Sequence, residues 1–280
     1  MGRGKLIVFE GIDGAGKGTQ AELLARSLQK RGIPLVKLGF PRYESCFGRL
    51  IARFLNGEFG PLAAVDPHFS ALLYAGDRFE AKSELETVLD SGKIVITDRY
   101  IGSNLAHQTA RVSADRRGEF MAWLRHLEYG IYGLPAEDVV IYLRVPAQEG
   151  QRLVGFKALR SYTEKSRDLQ ESDLSHLKRA AVVYEQLAEA PNWVTIECFQ
   201  RKSGRHRAPE EIHRDVLAAI EARALATIGP VGMPGLTADE QETRCHFRNF
   251  SATLGLWRRS EACSPPRGCR TPCYLPARGG

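Results

Sequence analysis

The sequence predicts an α/β domain: a doubly wound, five-stranded parallel sheet covered by helices on both faces. Three observations point to it. Short apolar runs alternate with stretches of helical period up to residue 226, and such alternation implies right-handed crossovers between parallel strands. Ile94-Val-Ile96 and Val139-Val-Ile-Tyr-Leu143 are apolar at consecutive positions, as expected of strands buried on both faces. The first apolar run ends in a glycine-rich turn that opens straight into a helical period.

Residues 5–10 form the first expected strand. A helix follows over 18–31, with Ala21, Leu24, Ala25 and Leu28 on one face and Arg31-Gly32 as its stop. Residues 34–40 are the second strand, and 46–56 and 67–90 are helical. Residues 93–98 are the third strand, followed by a helix over 115–128. Residues 138–144 and 193–197 supply the fourth and fifth strands, and helices over 171–190 and 209–226 complete the alternation. There is no internal repeat.

The chain has 280 residues, 43% hydrophobic and 26% charged, the balance of a globular protein able to bury a sizeable core. No run of eighteen apolar residues exists, which excludes a membrane-spanning helix. Leu6-Ile-Val-Phe9 is too short for a signal-peptide core, and only Cys46 and Cys198 fall before residue 229. A reduced, cytoplasmic protein is therefore expected. The net charge of +6 suits anionic partners, nucleotides and nucleic acids alike.

Composition changes after Ile228. Residues 229–280 hold no lysine, six of the fourteen prolines and four of the six cysteines. They show no period of 2 or 3.6, so a domain over 1–228 and a disordered tail over 229–280 are expected. Zinc is the sharper alternative there, but Cys245, His246, Cys263, Cys269 and Cys273 lack a Cys-x-x-Cys knuckle.

Five constellations carry chemistry. Gly11-Ile-Asp-Gly-Ala-Gly-Lys-Gly-Thr-Gln20 lies between a strand and a helix. Its backbone N–H groups can close around phosphate, and Lys17 can reach the outer phosphate oxygens. A ligand-free glycine turn is the bland alternative, and the lysine and the strand–helix context argue against it. Asp98-Arg-Tyr100 ends the third strand, where ligands of open α/β sheets bind. Asp98 there can hold Mg²⁺ through water and Arg99 can fork onto phosphate. Tyr74 and Arg78 share a helix face, and Asn104 and Gln108 are likewise four residues apart. Each pair suits a base, or else merely a core tyrosine, a surface arginine and solvated amides. Arg160, Lys165 and Arg167 form a basic stretch beside an expected helix start, a lid in one reading and a solvated face in the other.

Together the motifs resemble the thymidylate kinase family of nucleoside monophosphate kinases over roughly residues 4–226. The most specific segments are Phe9-Glu-Gly-Ile-Asp-Gly-Ala-Gly-Lys17, Phe40-Pro-Arg-Tyr43 and Asp98-Arg-Tyr-Ile-Gly-Ser-Asn-Leu-Ala106. The resemblance implies a P-loop kinase sheet with a short basic lid at about 155–170. It implies transfer of the ATP γ-phosphate to dTMP with Mg²⁺, a cytoplasmic homodimer, and no nucleic-acid or membrane partner. It assigns Gly11, Ile12, Asp13, Gly14, Ala15, Gly16, Lys17, Gly18 and Thr19 to ATP, and Asp13 also to the deoxyribose 3′-hydroxyl. Arg99, with Phe40 and Arg42, would hold the acceptor phosphate. Tyr74 would stack on thymine, Arg78 and Asn104 would hydrogen-bond it, and His107 and Gln108 would lie near the nucleoside. Some members carry a catalytic arginine in the phosphate loop; Gly14 stands there in this chain, so the resemblance turns to Arg160, Lys165 and Arg167 for the cation. His107 stands where the family often has tyrosine.

Two rival readings follow from the same residues. One is a kinase for another monophosphate such as UMP, CMP or AMP. The other is a P-loop switch or a DNA-associated ATPase, which would need a guanine-reading Asn-Lys-x-Asp or a partner surface; the chain has no such tetrapeptide.

Overall fold

The computed structural model describes residues 2–154, 173–200 and 203–225. The expected lid, with Arg160, Lys165 and Arg167, and the tail from 229 lie outside the described residues.

Five strands form one parallel sheet: β1 Leu6–Glu10, β2 Leu35–Gly39, β3 Ile94–Asp98, β4 Val139–Arg144 and β5 Trp193–Glu197, in the order β2-β3-β1-β4-β5. Val8 pairs with Thr97 on one side and Val140 on the other. The order reverses at β1, so the C-terminal ends of β1 and β3 flank a crevice suited to a ligand. Helices α1 Lys17–Lys30, α2 Cys46–Leu55, α3 Pro67–Glu80, α4 Lys82–Asp90, α5 Ile101–Thr109, α6 Arg117–Arg125, α7 Ala147–Val154, α8 Leu174–Leu187 and α9 Pro209–Ile220 connect and cover the strands. A two-stranded hairpin, β6 Phe199–Gln200 and β7 Arg205–His206, follows β5.

Side chains alternate across a strand, and β1 shows the result. Ile7 and Phe9 join Leu24 and Leu28 of α1 and Ile212, Val216 and Ile220 of α9 in one core. Leu6 and Val8 face the other core, with residues from α3, α4, α5, α6 and α8. Both faces are dry, which explains the unbroken apolar runs. A fully buried Leu or Ile here contributes about 1.5–3 kcal/mol. In the second core Trp193 packs its ring 6.3 Å from Tyr142 and 6.4 Å from Tyr184. Its Cη2 lies 3.0 Å from where a β-carbon on Gly102 would sit.

The expected strands agree with β1 to β5 within a residue or so at their ends. The expected helix over 67–90 is two helices, α3 and α4, which meet at Ala81; its N–H donates to the Arg78 carbonyl at 3.1 Å in a tightened turn. The helix expected over 115–128 is a 3₁₀ turn at Ala114–Arg116, then α6, then a π-helical turn at His126–Ile131. α5 has no counterpart among the expected helices. All nine of its residues are buried, so it carries no amphipathic period. The short α7 and the hairpin were also beyond periodicity.

Candidate active site

The C-terminal ends of β1, β2 and β3 and the helices α3 and α5 enclose a cavity of about 460 Å³. Its lining joins the phosphate loop to the aromatic and amide residues expected to hold a base. Asp13, Gly16, Lys17, Gly18 and Thr19 line it, as do Phe40, Tyr43, Tyr74, Arg78, Asp98, Arg99, Asn104, His107 and Gln108. Arg42 is not in the lining. Its backbone N–H and guanidinium are turned onto Asp77, with N to Oδ2 at 2.8 Å and Nη2 to the Asp77 carbonyl at 2.9 Å.

The loop between β1 and α1 is shaped by its glycines. Gly11, Gly14 and Gly16 have φ of 140°, 84° and 89°, which side chains rarely tolerate. Gly16 caps α1 without a side-chain hydrogen bond, so the first N–H groups of the helix stay free of a side-chain cap at the cavity wall. Lys17 is nearly buried and its Nζ donates to the carbonyls of Gly11 and Ile12, each at 2.9 Å. α7 presses on the loop: a β-carbon on Gly14 would lie 2.1 Å from the Gly150 carbonyl oxygen.

Arg99 follows β3 in the left-handed region, φ 68°. For a non-glycine residue this costs about 1–2 kcal/mol, and its surroundings hold it there. Its N–H donates to the Phe9 carbonyl at 3.0 Å. Its Nη1 donates to Ser103 Oγ at 3.1 Å, and Nη2 pairs with Asp13. Burial opposes its charge, but Asp13, then Tyr184, Asp98 and Glu10, carry its pKa well above the ordinary arginine value. A permanent cation therefore faces the cavity between the phosphate loop and α5.

Beneath Arg99 lies Glu10, fully buried at the end of β1. Its Oε1 accepts from the backbone N–H groups of Tyr100 and Ser103 at 2.8 and 2.9 Å, and Oε2 accepts from the Ser103 and Tyr184 hydroxyls at 2.6 and 3.1 Å. A carboxylate at a helix N-terminus satisfies orphan donors and complements the dipole. Glu10 thereby anchors both α5 and the hydroxyl that Arg99 touches.

Asp98 offers a place for a cation. Its Oδ1 is buried without a hydrogen-bond partner, and its Oδ2 lies 2.9 Å from where a β-carbon on Gly18 would stand. Glycine at 18 thus opens space between the carboxylate and the loop. No group of three or more His, Cys, Asp or Glu suited to a metal occurs among the described residues. One spare carboxylate beside a phosphate loop fits hydrated Mg²⁺, which keeps most of its waters and takes phosphate oxygens.

At the far end, Arg78 of α3 is 2% exposed and its Nε and Nη2 donate to Glu128 at 2.6 and 2.7 Å. Burial opposes the guanidinium charge, but Glu128 overrides it and the pKa is raised. Asn104 Nδ2 donates to the Ala71 carbonyl at 3.0 Å and to Glu128 at 2.8 Å, while its Oδ1 is buried and unpartnered. Tyr74 stands edge-on to Phe54, centroids 6.5 Å apart. Gln108 Oε1 accepts from Ser70 at 2.8 Å and Arg111 at 2.8 Å, and Arg111 also binds the Leu62 carbonyl at 2.9 Å. His107 Nδ1 lies 3.3 Å from His176 Nε2 of α8, and His107 Nε2 is buried without a partner. Burial first, then nearby Arg99 and His176 against the pull of Asp13, holds the His107 pKa well below the ordinary value.

The cavity thus collects most of the residues singled out in the sequence. The supporting residues were missed: Glu10, Glu128, Ser70, Arg111 and His176. Only a charge closing an apolar strand signalled Glu10, and only the end of an amphipathic period preceded Glu128.

Comparison with known proteins agrees with this arrangement. A family model described as thymidylate kinase matches residues 9–207. The thymidylate kinase of Mycobacterium tuberculosis (strain ATCC 25618 / H37Rv) is 36% identical over 190 residues, 67% of this chain and 87% of that protein. The thymidylate kinase of Plasmodium falciparum (isolate 3D7) is 27% identical over 218 residues, 78% of this chain and 90% of that protein. In fold the chain is similar to the solved thymidylate kinase of Candida albicans, with a TM-score of 0.62 and 20% identity over 79% of this chain and 92% of that one. A match across well over half the chain, on a sheet and phosphate loop of this form, makes the chain a member of the thymidylate kinase family.

Proposed function

We infer that the protein transfers the γ-phosphate of ATP to dTMP, giving dTDP. One observation carries this reading. A single cavity has a phosphate loop with Lys17 at one end, a buried Arg78–Asn104 pair at the other, and Arg99 between them. Arg78 presents guanidinium donors and Asn104 an unpartnered carbonyl oxygen, the complement of a base edge with a carbonyl beside an imide N–H. Thymine has that edge.

The acceptor is an ionised phosphate, so no general base is needed. An oxygen of the dTMP phosphate attacks the γ-phosphorus in line as the bond to the β–γ bridging oxygen breaks, and ADP leaves with that electron pair. Catalysis then rests on positioning and on cancelling charge at the transferring group. Lys17 and the loop N–H groups hold the donor phosphates, and Arg99 holds the acceptor phosphate with Phe40 packed beside it. Asp13 takes the sugar 3′-hydroxyl while paired to Arg99, and Tyr74 stacks on the base. Mg²⁺, bound through water on Asp98, would supply further neutralisation of the donor phosphates. Arg160, Lys165 and Arg167, outside the described residues, are assigned to a lid that closes on the transferring group. Arg42 supports this end through Asp77.

We extend the reading to a cytoplasmic homodimer with nucleotide partners and no nucleic-acid or membrane partner, and to a domain over 1–228 whose chemistry needs nothing from 229–280. No helix among the described residues is long and apolar enough to cross a membrane. Phe69, Leu72 and Phe79 of α3 are exposed, as is Ile131. Phe79 packs 4.8 Å from Tyr132 with the rings tilted, and exposed apolar side chains of this kind are what a second copy would cover.

The deciding experiment is a coupled assay of dTMP, dUMP, UMP, CMP and AMP with ATP and Mg²⁺. The highest kcat/KM for dTMP is expected. A preference for CMP or AMP, or ATP hydrolysis indifferent to every acceptor, would overturn the assignment.

A further inference from the structure

Glu128 lies on the π-helical turn that follows α6, fully buried and outside the cavity lining. Its carboxylate takes three N–H donors from two lining residues: Nε of Arg78 at 2.6 Å, Nη2 of Arg78 at 2.7 Å and Nδ2 of Asn104 at 2.8 Å. Those two residues come from different helices, α3 and α5, and Glu128 joins them.

The consequence concerns the amide of Asn104. An asparagine side chain can present either its oxygen or its nitrogen, depending on its neighbours. Here both neighbours of Nδ2, the Ala71 carbonyl and Glu128, can only accept. Turning the amide over would set Oδ1 against two acceptors in a buried site, which is strongly unfavourable. Oδ1 is thereby left as the atom offered to a ligand, and it has no protein partner. Arg78 is fixed by the same carboxylate: with Nε and Nη2 engaged in a fork, the donors of Nη1 remain.

We propose that Glu128 is a positioning residue that sets base selection, holding Asn104 as an acceptor and Arg78 as a donor so that the cavity takes a base with an imide N–H beside a carbonyl and rejects cytosine. The proposal rests on the dTMP reading above. Cytosine presents the opposite edge, an unprotonated ring nitrogen beside an amino group, and would set acceptor against acceptor and donor against donor. Sites built to pair a specific polar group reject a mismatched one strongly, because buried groups are then left unpaired.

A glutamine at 128 would loosen the arrangement, because its amide can donate as well as accept. Asn104 could then turn over against it and offer Nδ2 to cytosine, with only Ala71 opposing. The test measures kcat/KM for dTMP and for dCMP, with saturating ATP and Mg²⁺, in the unaltered protein and in Glu128→Gln and Glu128→Asp, alongside melting temperatures. In Glu128→Gln the dTMP-to-dCMP ratio is expected to fall at least about tenfold, through a higher KM for dTMP, with the KM for ATP unchanged. Glu128→Asp keeps the buried countercharge but shortens the reach, and should fall in the same direction. If Glu128→Gln does not fold, the aspartate variant decides by the same ratio. Parallel losses for both substrates at a constant ratio would overturn the proposal and leave Glu128 as a brace between helices. Failure of the unaltered protein to phosphorylate dTMP would overturn the functional reading, and this proposal with it.

Discussion

The Gly150 carbonyl oxygen stands 2.1 Å from the place of a β-carbon on Gly14, and a β-carbon on Gly150 would stand 2.6 Å from the Asp13 carbonyl oxygen. Helix α7 and the phosphate loop therefore touch backbone to backbone. Alanine at 150 would gain about 1 kcal/mol of helix propensity, but overpacking of about 1–3 kcal/mol falls on the loop. Gly150→Ala is expected to lower the melting temperature and raise the KM for ATP several-fold, with the KM for dTMP little changed. A more stable variant with unaltered ATP affinity would show that the contact yields easily.

Lys17→Ala should abolish measurable transfer while the fold survives. The lysine folds back on the carbonyls of Gly11 and Ile12, at the only lysine position of the loop. Loss of one placed charge on a transferring phosphoryl group costs about 3 kcal/mol or more. Near-normal turnover with an unchanged circular dichroism spectrum would contradict the assignment.

Arg99→Ala should damage the acceptor side. Its guanidinium joins Asp13 to Ser103, so dTMP affinity and turnover should fall together by at least about a hundredfold in kcat/KM, in keeping with loss of a positioned charged donor. Titration calorimetry with an ATP analogue should show little change. Loss of nucleotide binding with dTMP affinity intact would reverse the role.

An arginine could not enter the phosphate loop at 14 without displacing α7, since φ there is 84° and the Gly150 carbonyl fills the space. Under the proposed function the cation at the transition state comes from Arg160, Lys165 and Arg167 instead. Replacing all three with glutamine should depress kcat more than it raises either KM, because the contact forms mainly on closure. Intact turnover would place the catalytic cation elsewhere.

Acid should destabilise the protein through His176. Burial, then Arg179, pushes its pKa from 6.5 down to about 4, against Asp173. Arg111 and Asp13 also bear on it. The unfolded chain takes up the proton near 6.5 and the folded one only near 4. Stability from neutral His176 is thus complete above about pH 6.5 and is lost as pH falls toward 4, by about 3 kcal/mol over that window. His107 shifts in the same direction. His176→Gln should flatten the fall in melting temperature between pH 7 and pH 5. An unchanged slope would assign the acid limb to other groups.

Most of the sheet was legible because its central strands are covered on both faces: β3 and β4 open with unbroken apolar runs, Ile94-Val-Ile96 and Val139-Val-Ile-Tyr-Leu143, and cannot be mistaken for amphipathic helix. The phosphate loop was legible because its glycines and lysine are local. α5 was not, since a helix buried on all sides has no period to read, although it carries Ser103, Asn104, His107 and Gln108. The supporting carboxylates were hidden for another reason. Glu10 and Ser103 are 93 residues apart, and Arg78 and Glu128 are 50 apart, so nothing local in the sequence joins them. Arg42 shows the reverse limit: its motif is local, but Asp77, 35 residues on, decides where it points.

The indole of Trp193 meets the α5 N-terminus at Gly102, one residue from the Ser103 that Glu10 and Arg99 share. Tyr142 and Tyr184 lie beside it at energy-transfer range. The fold has therefore set an optical probe next to the α5 residues that line the cavity. A displacement of α5 on ligand binding would change the packing around the indole, and its emission would report it without any attached dye. Phenylalanine in place of Trp123 and Trp257 would leave that one emitter to follow binding in real time.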